Sequence, residues 1–167
     1  EKRLSSDTST AGMDGPHIYY TGRGPEKVIK YITESGRENM KITSKWYYSG
    51  VKRGKKLKTQ VGYNQFFSFR LKKELTKEPA VYDMPEKLIA ISDIEGEFEA
   101  FRSFLIANGV MNEKYKWTFG KGHLVTVGDF FDRGLMVTQT LWLIYHLENQ
   151  AEKAGGKVHF ILGNHDL

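Results

Sequence analysis

Residues 128–134 read Gly-Asp-Phe-Phe-Asp-Arg-Gly, and this stretch decides the fold that the sequence predicts. It directly follows an apolar, β-branched run at residues 123–127 and directly precedes a long helical pattern. A strand that ends in a turn of carboxylates and leads into a helix is typical of an open parallel α/β sheet. The polar groups of such a sheet lie just beyond the carboxyl ends of its strands.

Two further polar motifs repeat this arrangement on either side. Ser-Asp-Ile-Glu-Gly at residues 92–96 follows the apolar residues 88–91, and Gly-Asn-His-Asp at residues 163–166 follows residues 158–162. Because the carboxyl ends of neighbouring parallel strands meet in one crevice, the three motifs are expected to converge. The expected site residues are Asp93, Glu95, Asp129, Asp132, Arg133, Asn164 and His165.

The pattern from residue 86 onward predicts a β-α-β-α-β unit with right-handed crossovers. Strands are expected at residues 87–92, 123–127 and 157–162. Helices are expected at residues 97–108 and 136–154, because apolar residues recur there at helical spacing and glycines follow each segment.

The first half of the chain predicts an antiparallel β-meander. Residues 1–15 are small and polar and indicate a flexible leader, and residues 16–85 form a β-rich region that ends in a linker at 72–85. Strands are expected at residues 17–20, 27–32, 41–48 and through the alternating stretch 61–71. The basic stretch 52–58 is interpreted as a solvated tip, with an anion-binding patch as the alternative.

Composition narrows the class of protein. The chain has 167 residues, a formal charge of +5 and no cysteine, so disulfides and thiolate metal ligands are excluded. No apolar run is long enough to span a membrane, and the modest charge does not indicate a specific nucleic-acid partner.

The chemistry of the three motifs points to metal and phosphate. Carboxylates and an amide oxygen suit divalent cations such as Mn²⁺, Mg²⁺, Fe or Zn²⁺. Two such ions about 3.5–4 Å apart can clamp a phosphoryl group and activate water, and Asp129 of the middle motif suits a bridging role. Arg133 is suited to phosphate oxygens, and His165, held by Asp132, to protonation of a leaving group.

Residues 86–167 resemble the calcineurin-like metallophosphoesterase superfamily, and more closely its phosphoprotein-phosphatase branch with the bacterial Shewanella-like members. The resemblance implies the N-terminal half of a metallophosphoesterase sheet and a site with two divalent metal ions. It further implies that Asp129 bridges the metals, with Asp93 on the first and Asn164 on the second. Arg133 and Asn164 would contact the phosphorylated substrate, and His165, Asp132 and Arg133 would act in catalysis.

Two departures from the family pattern stand out. Glu95 occupies the position of a family histidine, and it is retained here as a metal ligand that favours harder ions. The family's remaining metal-binding histidines lie beyond Gly-Asn-His, so we expect this chain to be the N-terminal half of a longer enzyme. Alone, it is expected to bind metal weakly, to turn over little substrate and to self-associate. The other four histidines, His17, His123, His146 and His159, are assigned structural or surface roles.

The predicted function is metal-dependent hydrolysis of phosphomonoesters, with Ser/Thr phosphoproteins as a candidate substrate class. The alternatives are a degenerate phosphate- or phosphoprotein-binding module and a dinucleoside polyphosphate hydrolase. The sequence leaves the location open, with a bacterial extracytoplasmic location slightly favoured over a cytoplasmic one.

Overall fold

The computed structural model describes residues 13–20, 27–34, 40–41, 56–72 and 74–167. These residues form eight strands and two α-helices, followed by a short 3₁₀ turn. In chain order they are β1 Met13–Tyr20, β2 Lys27–Glu34, β3 Met40–Lys41, β4 Lys56–Gly62, β5 Gln65–Arg70, β6 Leu88–Ile91, α1 Phe98–Ala107, β7 His123–Val127, α2 Val137–Ala154, β8 Lys157–Ile161 and the 3₁₀ turn Asn164–Asp166.

The second half of the chain is the predicted parallel β-α-β-α-β unit. Its sheet has the order β6-β7-β8, with Leu88 paired to His123 and His123 to Lys157. Both helices end in the same hydrogen-bonded cap, in which a glycine with positive φ follows the last turn. In α2 this residue is Gly155, at φ 77°, and the N–H of Gly156 donates to the carbonyl of Ala151 at 2.9 Å. The α/β fold class is therefore confirmed.

Helix α2 packs on one face of this sheet, and α1 packs on α2. Leu124 and Val158 on that face are buried, and they join a continuous core with Phe98, Leu105 and Leu143. On the opposite face the residues near the carboxyl edge remain exposed, and Val127 and Ile161 are neighbours in register there. This face is unusual, because parallel sheets are ordinarily covered on both sides.

The first half is antiparallel, as predicted, but it is divided between two sheets. Strands β1, β2 and β3 form one sheet, and β4 and β5 form a separate hairpin. The prediction of one strand through residues 61–71 is wrong, because Tyr63 and Asn64 form a two-residue turn in which Asn64 has φ 54°. The stretch predicted as strand at 42–48 and residues 52–55 of the basic tip lie outside the described residues.

Strand β1 begins at Met13, so residues 13–15 are strand rather than part of the expected leader, while residues 1–12 lie outside the described residues. The reason is that this segment is anchored on both sides. The Thr59 hydroxyl donates to the Gly15 carbonyl at 2.6 Å, and the Trp142 indole N–H donates to the Pro16 carbonyl at 2.8 Å. The first-half strands thus pack directly on α2, and Phe69 stacks on Trp142 with ring centroids 4.2 Å apart.

Across the described part of the chain, no helix combines the length and apolar character that crossing a membrane requires.

Candidate active site

The three polar motifs lie together at the carboxyl edge of the parallel sheet. Asp93 follows β6, Asp129 follows β7 and Asn164 follows β8. Since β7 is the central strand, Asp129 lies between the other two, which is the arrangement expected from the sequence. The main chains of the first two motifs are joined directly, because the N–H of Glu95 donates to the Asp129 carbonyl at 2.9 Å.

Glycines bring the three motifs into backbone contact. A Cβ at Gly134 would lie 2.4 Å from the carbonyl carbon of Gly96, which joins the first motif to the second. A Cβ at Gly128 would lie 2.3 Å from the backbone nitrogen of Gly163, which joins the second motif to the third. Since backbone atoms cannot move aside as flexible side chains can, these glycines are needed for the close approach of the three turns.

The acidic residues of the site lie on strained backbone. Asp93, Glu95, Asp129 and Asp132 have φ angles of 53°, 45°, 54° and 110°. Non-glycine residues adopt positive φ rarely and at an energetic cost, and such residues cluster at functional sites. Four of the six non-glycine residues with positive φ among the described residues lie in these motifs, so the turns are shaped for the position of their side chains.

Asp166 holds the second and third motifs together, and sequence reasoning missed this role. Its carboxylate accepts hydrogen bonds from the backbone N–H groups of Asp129, Phe130 and Gly163, each at 2.8 Å. Burial opposes the ionisation of Asp166, but these hydrogen bonds outweigh it and hold the pKa of the carboxyl below its ordinary value. An acidic residue three positions after a turn glycine was the available signal, because such a residue can cap the N-terminus of a short helix.

His165 and Asp132 form a hydrogen-bonded pair beside Asp129. His165 Nδ1 lies 2.8 Å from Asp132 Oδ2, and the backbone N–H of His165 donates to Asp129 Oδ1 at 3.1 Å. The His165 and Asp132 side chains are 45% and 61% exposed, so the pair is accessible to a ligand. Asp132 therefore fixes the orientation of the imidazole and leaves Nε2 available.

Glu95 and Arg133 form an ion pair, with Arg133 Nε 3.2 Å from Glu95 Oε2. The Glu95 side chain is 15% exposed, whereas that of Arg133 is 79% exposed. The carboxylate is thus the fixed partner, and the guanidinium extends from it toward solvent. The residue predicted to bind metal is bound here to the residue predicted to bind phosphate.

The remaining predicted ligands fit a divalent metal by the chemistry of their donor atoms. The carboxylate of Asp93 and the side-chain amide of Asn164 form no hydrogen bond with the described residues, and Asp129 has one carboxylate oxygen without such a partner. Unpartnered oxygen donors on three adjacent turns suit a hard or borderline cation.

The carboxylate oxygens of Asp93, Glu95 and Asp129 do not all lie within 4.8 Å of one another. Among the described residues, three or more acidic or histidine side chains have ligand atoms within 4.8 Å of one another only at Glu78, Glu148 and Glu152. That group lies away from the three motifs and is bound by Lys72 and Lys157. The separation of Asp93, Glu95 and Asp129 has a physical cause, since three carboxylates repel one another and Glu95 is turned toward Arg133.

The other histidines take structural positions. Burial lowers the pKa of His146, which lies on α2 with its ring centroid 5.7 Å from that of Phe67. His123 Nδ1 and His159 Nε2 lie 3.0 Å apart across β7 and β8, and Tyr82 packs edge-on against His159. Tyr82 belongs to the segment predicted as a linker, which thereby contacts the sheet.

The sequence model of the calcineurin-like phosphoesterase family matches residues 86–167, the segment that holds all three motifs. Residues 86–167 are thus similar in sequence to the calcineurin-like phosphoesterases. Members of this family generally use divalent metals, which agrees with the oxygen donors described above.

Two Shewanella-like protein phosphatases are similar to this segment in sequence. Shewanella-like protein phosphatase 2 of Arabidopsis thaliana is 36% identical over 86 residues, which is 52% of this chain and 22% of the relative. Shewanella-like protein phosphatase 1 of Plasmodium berghei is 34% identical over 80 residues, 48% of this chain and 22% of the relative. The matched segment thus spans less than a quarter of either relative.

A solved structure extends the similarity into the first half of the chain. The cold-active protein-tyrosine phosphatase of a psychrophilic Shewanella species superposes with a TM-score of 0.72 at 29% identity. The match covers 92% of this chain and 44% of that protein, so it includes strands outside residues 86–167. The relatives come from a plant, a malaria parasite and a bacterium, so they do not restrict this family to bacteria.

Proposed function

We propose that this chain forms part of a metal-dependent phosphatase that hydrolyses phosphomonoesters, with phosphorylated proteins as its substrates. The observation that carries the proposal is the His165–Asp132 pair at 2.8 Å, placed directly beside Asp129 at the edge where three oxygen-donor turns meet. A histidine held by a carboxylate next to metal-type donors suits phosphoester cleavage, because it combines a proton donor with metal activation of water.

In this proposal His165 protonates the leaving oxygen. The Asp132 carboxylate accepts the hydrogen bond from Nδ1 and stabilises the imidazolium, so that Nε2 carries the proton to be donated. The hydrogen bond from the backbone N–H of His165 to Asp129 fixes the distance between the proton donor and the metal-type donors. Both restraints orient the imidazole before substrate arrives.

Arg133 binds the phosphate oxygens of the substrate. A guanidinium offers two parallel N–H donors that match a phosphate, and its exposed position leaves these donors accessible. Glu95 sets the direction of the guanidinium by holding its Nε, and Asn164 contributes an amide to the same substrate group.

Asp93, Glu95, Asp129 and Asn164 would hold two divalent metal ions, with Asp129 as the shared ligand. When bound, the metals supply a nucleophilic water and neutralise charge on the phosphoryl group. Carboxylate-rich ligation favours Mn²⁺, Fe or Mg²⁺ over softer ions, although Zn²⁺ also accepts such ligands. Glu95 Oε2 is held by Arg133, so the guanidinium competes with the metals for that oxygen.

The proposal has two versions, which differ in whether the substrate carries phosphoserine and phosphothreonine or phosphotyrosine. The sequence reasoning favours phosphoserine and phosphothreonine, whereas the structurally similar Shewanella protein is a protein-tyrosine phosphatase by name. A catalytically degenerate phosphate-binding module and a dinucleoside polyphosphate hydrolase are the alternatives. The intact His165–Asp132 pair favours turnover over simple binding.

The test uses the intact protein that carries this sequence, with p-nitrophenyl phosphate and matched phosphoserine, phosphothreonine and phosphotyrosine peptides. We expect hydrolysis that requires Mn²⁺, stops on chelation and falls at least about a hundredfold in His165→Asn and Asp129→Asn. Lys121→Ala, which removes an exposed charge outside the three motifs, serves as the control. Chelator-resistant hydrolysis or full activity in Asp129→Asn would refute the proposal, and phosphate binding without turnover would support the degenerate module.

A further inference from the structure

A cleft of about 870 Å³ lies on the part of the molecule where β5 meets the 113–116 loop and the second half of α2. We call it the β5 groove, and we propose that it binds an acidic, extended segment of a protein partner as an added strand. None of the residues of the three active-site motifs lines it. The groove is therefore a separate binding site, and the inference does not depend on the proposed phosphatase activity.

The shape of the groove is that of an exposed strand edge. Every residue from Phe66 to Lys72 lines it, although successive residues of a strand point to opposite faces. Lining by consecutive residues points to a cleft that runs along the edge of the strand. Among the described residues β5 pairs with β4 alone, so no described strand occupies its other edge. An extended peptide can pair with such an edge.

The charge of the groove selects an acidic partner. Lys56, Lys114, Lys116 and Lys153 line it, and none of them forms an ion pair with the described residues. Glu113 is the one acidic residue of the lining. By contrast, Lys72 at the end of the strand is neutralised by Glu148 and Glu152. Uncompensated positive charge around a concave surface attracts anionic ligands.

The pKa of His146, which lines the groove, reflects the same positive charge. Burial lowers the pKa of His146 most, the Tyr115 carbonyl opposes that shift, and Lys116 and Lys153 lower the pKa further. The positive charges of Lys116 and Lys153 therefore reach the imidazole of His146 in the wall of the groove.

The floor of the groove is already fixed in place. The Phe67 ring lies 5.0 Å from Tyr115 and 5.7 Å from His146 between ring centroids. Gln150 links α2 to the loop, because its amide donates to the Tyr115 carbonyl at 2.9 Å and accepts from the Trp117 N–H at 3.2 Å. A rigid floor reduces the ordering cost of binding.

A peptide fits these features better than a nucleic acid does. Both are anionic, but only a peptide carries the alternating N–H and C=O groups that complete a strand edge. The six residues of β5 match an extended peptide segment of about 20 Å. A partner segment that alternates acidic with apolar residues would place carboxylates at the lysines and apolar side chains on the aromatic floor.

The experiment measures fluorescence anisotropy of a labelled peptide of about eight residues that alternates glutamate with valine or phenylalanine, titrated with the intact protein that carries this sequence. We expect saturable binding that weakens with salt and is absent for the same peptide with lysine in place of glutamate. Lys114→Glu with Lys153→Glu should raise the Kd at least about tenfold. Lys77→Glu with Lys121→Glu changes the net charge equally but lies outside the groove, so it should bind normally.

Two N-methylated peptides test the strand pairing itself. Methyl groups on alternate residues block one edge of the peptide, and methyl groups on the intervening residues block the other. Only the edge that faces β5 matters, so we expect the two peptides to differ in Kd at least about tenfold. Equal binding of the two, no binding of the parent peptide, an unchanged Kd in the groove variant, or tighter binding of a single-stranded oligonucleotide would each overturn the proposal.

Discussion

Arg133 Nε lies 3.2 Å from Glu95 Oε2, and this contact couples the predicted metal and phosphate ligands of the site. A carboxylate that neutralises a guanidinium is less available to a cation. The guanidinium also repels an incoming metal ion. Because of this ion pair, metal binding by Glu95 and phosphate binding by Arg133 compete with each other.

We expect Arg133→Ala to raise the Mn²⁺ affinity about two- to fivefold, because it frees Glu95 and removes a nearby positive charge. The same substitution should weaken the binding of inorganic phosphate. Calorimetric titration of each ligand measures both effects, with Lys121→Ala as the control for the loss of a charge outside the three motifs. A Mn²⁺ affinity that falls in Arg133→Ala would contradict the competition.

Gly134→Ala should destabilise the protein by about 1–3 kcal/mol, because the new Cβ would overlap the backbone of Gly96. Gly62→Ala is the matched control, since its Cβ would meet only the flexible Gln65 side chain, at 3.4 Å. Thermal or urea unfolding of both variants gives the comparison. If the two variants lose equal stability, the contact between the first and second motifs does not determine their geometry.

The position of the site was predictable because each motif directly follows an apolar strand. Parallel strands place such residues at one edge whatever the length of the crossover, so Asp93, Asp129 and Asn164 could be assigned to the same edge without knowledge of the loops. Helix ends were also readable, because Gly155 marks a left-handed cap.

The hairpin turn at Tyr63 and Asn64 was not readable from alternation. The turn pairs Gly62 with Gln65, and a bulge between Gln60 and Gly62 then pairs Thr59 with Phe67 and Leu57 with Phe69. Because the bulge shifts the register by one residue, the apolar residues of the two strands stay in phase as if one strand continued. The ion pair of Glu95 with Arg133 was also beyond the sequence, because it depends on the direction of a long side chain after two turns have met. The role of Asp166 was overlooked because its hydrogen-bond donors are backbone N–H groups, which every residue except proline has, so no motif marks them.

Acid should destabilise the protein through His146. Burial lowers the pKa of this histidine in the folded state, so the unfolded chain binds its proton more readily. Its contribution to stability is complete above its ordinary pKa of about 6.5 and is lost as the pH falls from there through the folded-state pKa.

His146→Gln retains a hydrogen-bonding side chain but cannot titrate, so it should reduce the loss of melting temperature between pH 7.5 and about pH 5. The pKa of His159 is also lowered by burial and by His123, so part of the acid effect should persist in the variant. An unchanged pH dependence in His146→Gln would show that this histidine does not contribute.

The 167-residue chain should bind Mn²⁺ more weakly than about 1 µM, because its three site carboxylates are not held within mutual ligand distance and repel one another when drawn together. Asp93→Asn should weaken binding further, whereas Glu97→Gln removes an equal charge from an exposed neighbour and should not. Calorimetry with Mn²⁺ distinguishes the two. Tight binding of two ions by the unmodified chain would show that the donors assemble without further ligands.

The chain should self-associate through the exposed carboxyl half of the sheet face that carries Val127 and Ile161. These two residues are paired in register on that face and are 44% and 47% exposed. Contiguous apolar surface of this kind favours association, because burial removes it from water. Ile161→Lys places a charge beside Val127 in this apolar surface and should shift the chain to monomer. Leu75→Lys, at a residue that is 80% exposed outside the sheet, should leave association unchanged. Light scattering and sedimentation over a range of concentrations measure the mass of each variant, and an unmodified chain that stays monomeric throughout would rule out this interface.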